Sequence, residues 1–119
     1  MSAIVMYHNP KCSTSMHALE TVKQLGVDAE IVQYLKTPPD RATLEKLVKI
    51  IDDPVEDLVR KDAAFERLGL NAGDYVGNAK AVVDVLVEHT ELLQRPIIVK
   101  GKKAIIGRPK DRVAPFVKG

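Results

Sequence analysis

A short apolar run from Ala3 to Tyr7, closed by His8-Asn9-Pro10, predicts a buried strand followed by a turn. Beyond it, Ala18, Leu19, Val22 and Leu25 form the apolar face of a helix that stops at Gly26, with Ser13, Thr14 and Ser15 supplying capping oxygens at its start. Glu30 to Leu35 reads as a second strand. The break Thr37-Pro38-Pro39 leads into a helix capped by Asp40, whose Leu44, Leu47, Val48 and Ile51 make one apolar stripe. Asp53-Pro54 predicts a cap and a first-turn proline for a short helix with Val55, Leu58 and Val59 inward, and another short helix ends at Leu68-Gly69. Asn78 caps a helix whose buried side holds Val82, Val85 and Leu86, with His89 a candidate for the same face.

The pattern then turns extended. Pro96-Ile97-Ile98-Val99 and Ala104-Ile105-Ile106 flank Lys100-Gly101-Lys102-Lys103, which predicts an antiparallel hairpin before a terminal helix near Pro109 to Val117. A helical crossover makes the first two strands parallel, and the hairpin adds an antiparallel pair. The expected fold is therefore α/β and thioredoxin-like: a four-stranded mixed sheet with a helical insertion at about residues 40–92, in a single domain spanning 1–119.

Composition narrows the function. Of 119 residues, 45% are hydrophobic and 29% charged, ordinary for a globular chain that buries a core without disulfides or structural metal. The net charge of +2 comes from 18 basic and 16 acidic residues in no long run, so no nucleic-acid or anionic-lipid surface is expected. No stretch approaches the roughly 20 apolar residues of a membrane span, and the N-terminus lacks the pattern of a signal peptide. The expected location is the cytoplasm, where a lone thiol stays reduced.

That thiol is Cys12, the only cysteine. It lies between a buried strand and a helix, where unpaired amides and the helix dipole favour a thiolate and can cradle an oxyanion beside it. Reactive cysteines so placed have pKa values of roughly 3.5–7.5, against about 8.5 for a free thiol. His8 is a candidate to hydrogen-bond the sulfur, and Ser15 to donate its hydroxyl to it; a structural role for either is the alternative. Arg95 before Pro96 and Arg108 within Gly107-Arg108-Pro109 stand at strand boundaries. Arg60 closes a short helix and, taken alone, reads as a solvated charge, as do Arg41, Arg67 and Arg112.

Two thiol chemistries are excluded by spacing. A cysteine phosphatase loop needs an arginine six positions after the cysteine, and that position is Ala18. A dithiol oxidoreductase needs a second cysteine at the position held by Ser15, so redox turnover here requires an external thiol. Three dispersed histidines and one cysteine show no metal-ligand spacing, and neither a metal nor a bound cofactor is expected.

The run Tyr7-His8-Asn9-Pro10-Lys11-Cys12-Ser13-Thr14-Ser15 resembles the N-terminal signature of the ArsC family, the glutathione- and glutaredoxin-coupled arsenate reductases. Tyr34-Leu35-Lys36-Thr37-Pro38-Pro39, Leu58-Val59-Arg60-Lys61, Gln94-Arg95-Pro96-Ile97-Ile98-Val99 and Ile106-Gly107-Arg108-Pro109 extend the resemblance over the chain. It implies that Cys12 is the catalytic nucleophile, with His8 and Ser15 beside it as the catalytic candidates that the turn itself offers. It also implies that Arg60, Arg95 and Arg108, with Ser13 and Thr14, bind arsenate or a similar oxyanion, and that the Arg95-Pro96 bond is cis. Glutathione would serve as co-substrate and glutaredoxin as partner protein, the enzyme working as a monomer. Met16 departs from the family, which often has arginine there, and an end at Gly119 is similar to that of a shorter subgroup. Two other readings remain open: a regulatory binding module similar to the Spx proteins, and a monothiol enzyme of the same family acting on another thiol substrate.

Overall fold

The computed structural model describes residues 4–119, so Ala3 of the first predicted strand lies outside the described residues. The elements run β1 (Ile4–His8), α1 (Ser13–Gln24), β2 (Ala29–Gln33), α2 (Arg41–Ile50), α3 (Ala63–Arg67), α4 (Ala79–Glu88), β3 (Ile97–Lys100), β4 (Lys103–Ile106) and α5 (Val113–Lys118). Strands stand in the order β2-β1-β3-β4, with β1 parallel to β2 and antiparallel to β3, and β3 antiparallel to β4. This is the expected thioredoxin-like mixed sheet.

Side chains alternate across a strand, and here the alternation divides the core in two. Ile97 of β3 packs with Leu44, Leu47, Leu86 and Leu92 on the side of α2 and α4. Its neighbour Ile98 packs with Met6, Val22, Val113 and Val117 on the side of α1 and α5. The hairpin turns on Gly101 at φ 60°; among the described residues no non-glycine has positive φ, so the two-residue loop needs glycine at its first position. Gly26 ends α1 at φ 68°, and the carboxylate of Asp40 and the amide oxygen of Asn78 cap α2 and α4 as expected.

Four local expectations are corrected. The second strand ends at Gln33, and Leu35 is exposed. Residue 54, not 53, caps the short turn Val55–Leu58, because the Asp53 carboxylate is held by β4 instead. His89 lies off the buried stripe, since α4 ends one residue earlier; its Nδ1 is 3.4 Å from a Glu91 carboxylate oxygen. Arg112 is no surface charge: it is half-buried against Asp53.

The outer edge of β4 does not lie bare. Ile51 forms an isolated parallel bridge to Ala104, and Asp52 N–H donates to Ala104 O at 2.8 Å. This covers an edge that would otherwise offer unpaired backbone groups. Among the described residues, no helix is long and apolar enough to cross a membrane, and no group of three or more His, Cys, Asp or Glu is placed to hold a metal ion.

Candidate active site

Asn9 makes the turn that carries the site. Its backbone carbonyl accepts from Cys12 N–H (3.1 Å) and its side-chain oxygen from Lys11 N–H (2.9 Å), which closes a turn through Pro10 and Lys11 and holds off the helix until after Cys12. Cys12 is consequently the N-cap of α1 at φ −104°, ψ 122°, and Met16 N–H makes the first intrahelical bond to its carbonyl (2.9 Å). The expectation that Ser13, Thr14 and Ser15 cap this helix is therefore wrong by one position or more. They form its first turn instead, and it is their N–H groups that lack intrahelical partners beside the sulfur. Ser13 is exposed, Thr14 half-buried and Ser15 fully buried.

The Ser15 hydroxyl is committed elsewhere. It accepts from Asn9 N–H at 3.0 Å and shares a 2.7 Å hydrogen bond with His8 Nδ1, both partners being buried. His8 thus bonds Ser15 and not Cys12, which corrects the direct histidine-to-sulfur contact read from the sequence. Burial, reinforced by the charge of Lys23, pushes the His8 pKa down against the Ser15 hydrogen bond. The contact that Ser15 does offer Cys12 is its backbone N–H. A neutral thiol is a weak acceptor, and Cys12 makes no side-chain cap bond; a thiolate there draws on that amide.

The sequence separates Cys12 from two of the three arginines by most of the chain, and the fold brings those two to it. Arg108 Nη2 donates to Cys12 Sγ at 3.2 Å, while its Nε donates to Arg95 O at 2.7 Å. The Arg95-Pro96 and Arg108-Pro109 bonds are both cis, the second without a sequence expectation. Burial raises the Cys12 pKa. The Ser15 amide, a side-chain contact from Arg95 and the charges of Arg108 and Arg95 outweigh it, and the thiol falls below its ordinary value. Arg95 answers with the opposite sign: burial lowers its pKa, but Cys12 and Tyr34 raise it further.

Arg60 is not joined to the sulfur. Its backbone N–H donates to Leu92 O at 2.7 Å, which sets it beside the connection that leads to Arg95, yet its guanidinium pairs with Asp62 at 2.8 Å. Asp62 does double service, because its other oxygen caps α3 through Ala64 and Phe65 N–H.

Tyr34 was missed as a site residue. It is fully buried, its hydroxyl accepts from Asn9 Nδ2 at 3.5 Å, and it supports the charge of Arg95. A large aromatic with a polar tip just past a strand end is a signal for a buried hydroxyl needing partners. One donor near the thiol is left over: Arg95 Nε is buried without a hydrogen-bond partner among the described residues. Buried donors are rarely left so. Arg108 also lines a cleft of about 250 Å³, together with Asp53, Asp57, Lys61, Gln94 and Arg112.

The family model for the ArsC family matches residues 7–116. The chain is 39% identical over 116 residues to the uncharacterized protein YfgD of Escherichia coli (strain K12), covering 96% of each. It is 36% identical over 114 residues to the arsenate reductase of the same organism, covering 95% of this chain and 79% of that one. A solved arsenate reductase from Vibrio cholerae superposes with a TM-score of 0.82 at 31% identity, over 96% of this chain and 97% of the other.

Proposed function

The chain belongs to the ArsC family, and from that premise we propose that it is an arsenate reductase using Cys12 as its nucleophile. The observation that carries the reading is the pairing of a low-pKa thiol with cationic donors: Arg108 Nη2 is 3.2 Å from Sγ, and Arg95 adds a buried Nε with no partner of its own among the described residues. Such donors neutralise an oxyanion as its oxygens leave, in a low-dielectric setting where charge-assisted bonds are strong. Arsenate reductases among the relatives are 34–36% identical to the chain over the matched residues.

With one thiol and no resolving cysteine in the chain, the reaction needs external thiols, for which the family resemblance implies glutathione and glutaredoxin. The Cys12 thiolate adds to arsenic, and one arsenate oxygen leaves as water after taking up two protons. Glutathione then displaces a second oxygen as water, placing its sulfur on the same arsenic. A glutaredoxin thiolate attacks the glutathione sulfur, forming a disulfide and leaving the electron pair of the broken As–S bond on arsenic, which is thereby reduced from As(V) to As(III). Water displaces Cys12, and arsenite departs.

The Asp62 carboxylate competes with the oxyanion for Arg60, whose Nη1 it holds. The backbone amides of Ser13, Thr14 and Ser15 give the arsenic-bound oxygens further donors. Glutathione carries both carboxylates and an ammonium group, and the cleft beside Arg108 presents both signs in Asp57 and Lys61. The test is arsenite production from arsenate with glutathione and glutaredoxin, using Cys12→Ser as the control. Production well above that control supports the reading, and production equal to it overturns it.

A further inference from the structure

We propose that Asp53 and Arg112 are positioning residues for Arg108: together they clamp the end of β4 and the backbone that follows, and so aim the Arg108 guanidinium at Cys12 Sγ. Asp53 Oδ2 accepts from Ile106 N–H at 2.9 Å and Oδ1 from Arg112 Nη1 at 2.8 Å. The same Arg112 nitrogen faces Ile106 O at 3.0 Å and Arg108 O at 3.2 Å. An ion pair thereby pairs both backbone groups of Ile106, as a further strand would, and its third contact is the carbonyl of Arg108 itself.

Arg108 is fixed from every side. Its carbonyl is held by Arg112, its Nε by Arg95 O at 2.7 Å, and its Nη2 reaches Sγ at 3.2 Å. The residue before it has no slack either, since a Cβ on Gly107 would stand 2.8 Å from Pro96 Cγ. Only the Asp53–Arg112 side of this frame is built from side chains that touch neither the thiol nor Arg95. The two are 17% and 31% exposed, so the pair is shielded more than a surface ion pair; loss of Arg112 leaves the Asp53 charge and two carbonyls poorly satisfied, and loss of Asp53 leaves the Arg112 charge and the Ile106 N–H so.

The inference rests on the reading of Cys12 as a thiolate, and its test needs no arsenate, so it fails or stands apart from the substrate assignment. With one cysteine in the chain, the pH dependence of alkylation by iodoacetamide reports Cys12 alone. In Arg112→Met the alkylation midpoint is expected to move up and the rate below it to fall several-fold. Asp53→Asn keeps an acceptor for Ile106 N–H and is expected to move the midpoint the same way by less. Arg41→Met removes an equal charge from an exposed pair with Asp84 and serves as the control for net charge.

The decisive comparison is made in an Arg108→Ala background. There, adding Arg112→Met is expected to leave the midpoint where Arg108→Ala alone puts it, because the pair acts through Arg108. Two results would overturn the proposal: variants that lose stability in urea while Cys12 titrates as in the parent protein, or an Arg112→Met effect that persists undiminished without Arg108.

Discussion

Ser15→Ala separates the two roles that a serine at this position can have. The hydroxyl is fully buried, accepting from Asn9 N–H at 3.0 Å and bonded to His8 Nδ1 at 2.7 Å. Removing it strands two buried polar groups at about 1–3 kcal/mol each, so the variant should lose about 2–6 kcal/mol of stability. At a urea slope of about 2 kcal/mol per molar, that lowers the unfolding midpoint by about 1–3 M. The variant keeps the Ser15 backbone N–H and both arginines, which are what hold the thiolate. Below the unfolding midpoint, its alkylation profile should therefore match that of the parent protein. A stability loss under about 0.5 kcal/mol, within the range of an ordinary surface change, would show that the His8–Ser15–Asn9 triangle is not formed. An upward shift of the Cys12 midpoint with little loss of stability would show instead that the hydroxyl donates to sulfur.

Other outcomes follow from the same geometry. Asp62→Asn keeps an oxygen to cap α3 but releases Arg60 from an ion pair worth about 0–1 kcal/mol at this exposure; the KM for arsenate should fall several-fold, and an unchanged KM would mean that Arg60 does not reach the oxyanion. Gly107→Ala forces a Cβ to 2.8 Å from Pro96 Cγ and 3.2 Å from Val113 Cγ2, which should cost about 1–3 kcal/mol in a thermal melt and remove most arsenate turnover. His8 is buried with its pKa pushed down, so the unfolded chain takes up its proton first: this group's contribution to stability is complete above about pH 6.5 and declines as pH falls toward the folded-state value. Urea titrations between pH 7 and pH 5 should show that decline, shallower in His8→Gln.

What the sequence made legible was local. Gly26, Asp40 and Asn78 end or begin helices through groups within a few residues of themselves, and all three do so in the structure. The polar turn before a helix marked Cys12 for the same reason. The N-cap was misplaced because three hydroxyl residues stand in a row after Cys12, and the choice among them was settled upstream, where Asn9 closes the turn. Arg112 and Asp53 were misread for a different reason. Their partnership joins a connection after α2 to the turn before α5, across 59 residues, and leaves no periodic trace. Arg60 illustrates the remaining gap: its place in a matching segment says nothing of Asp62, whose carboxylate it takes in the structure.

The central claim is that Cys12 is a thiolate held by Arg95 and Arg108 as one wall of an oxyanion site. The most direct measurement is the rate of Cys12 alkylation across pH, with and without arsenate. A midpoint below the ordinary thiol value of about 8.5 is expected, because the thiolate is the reacting form and the surroundings favour it. Arsenate should slow alkylation, and Arg95→Ala and Arg108→Ala should each weaken both effects. A midpoint at or above the ordinary value, with no protection by arsenate, would mean that Cys12 is neither held as a thiolate nor part of an oxyanion site.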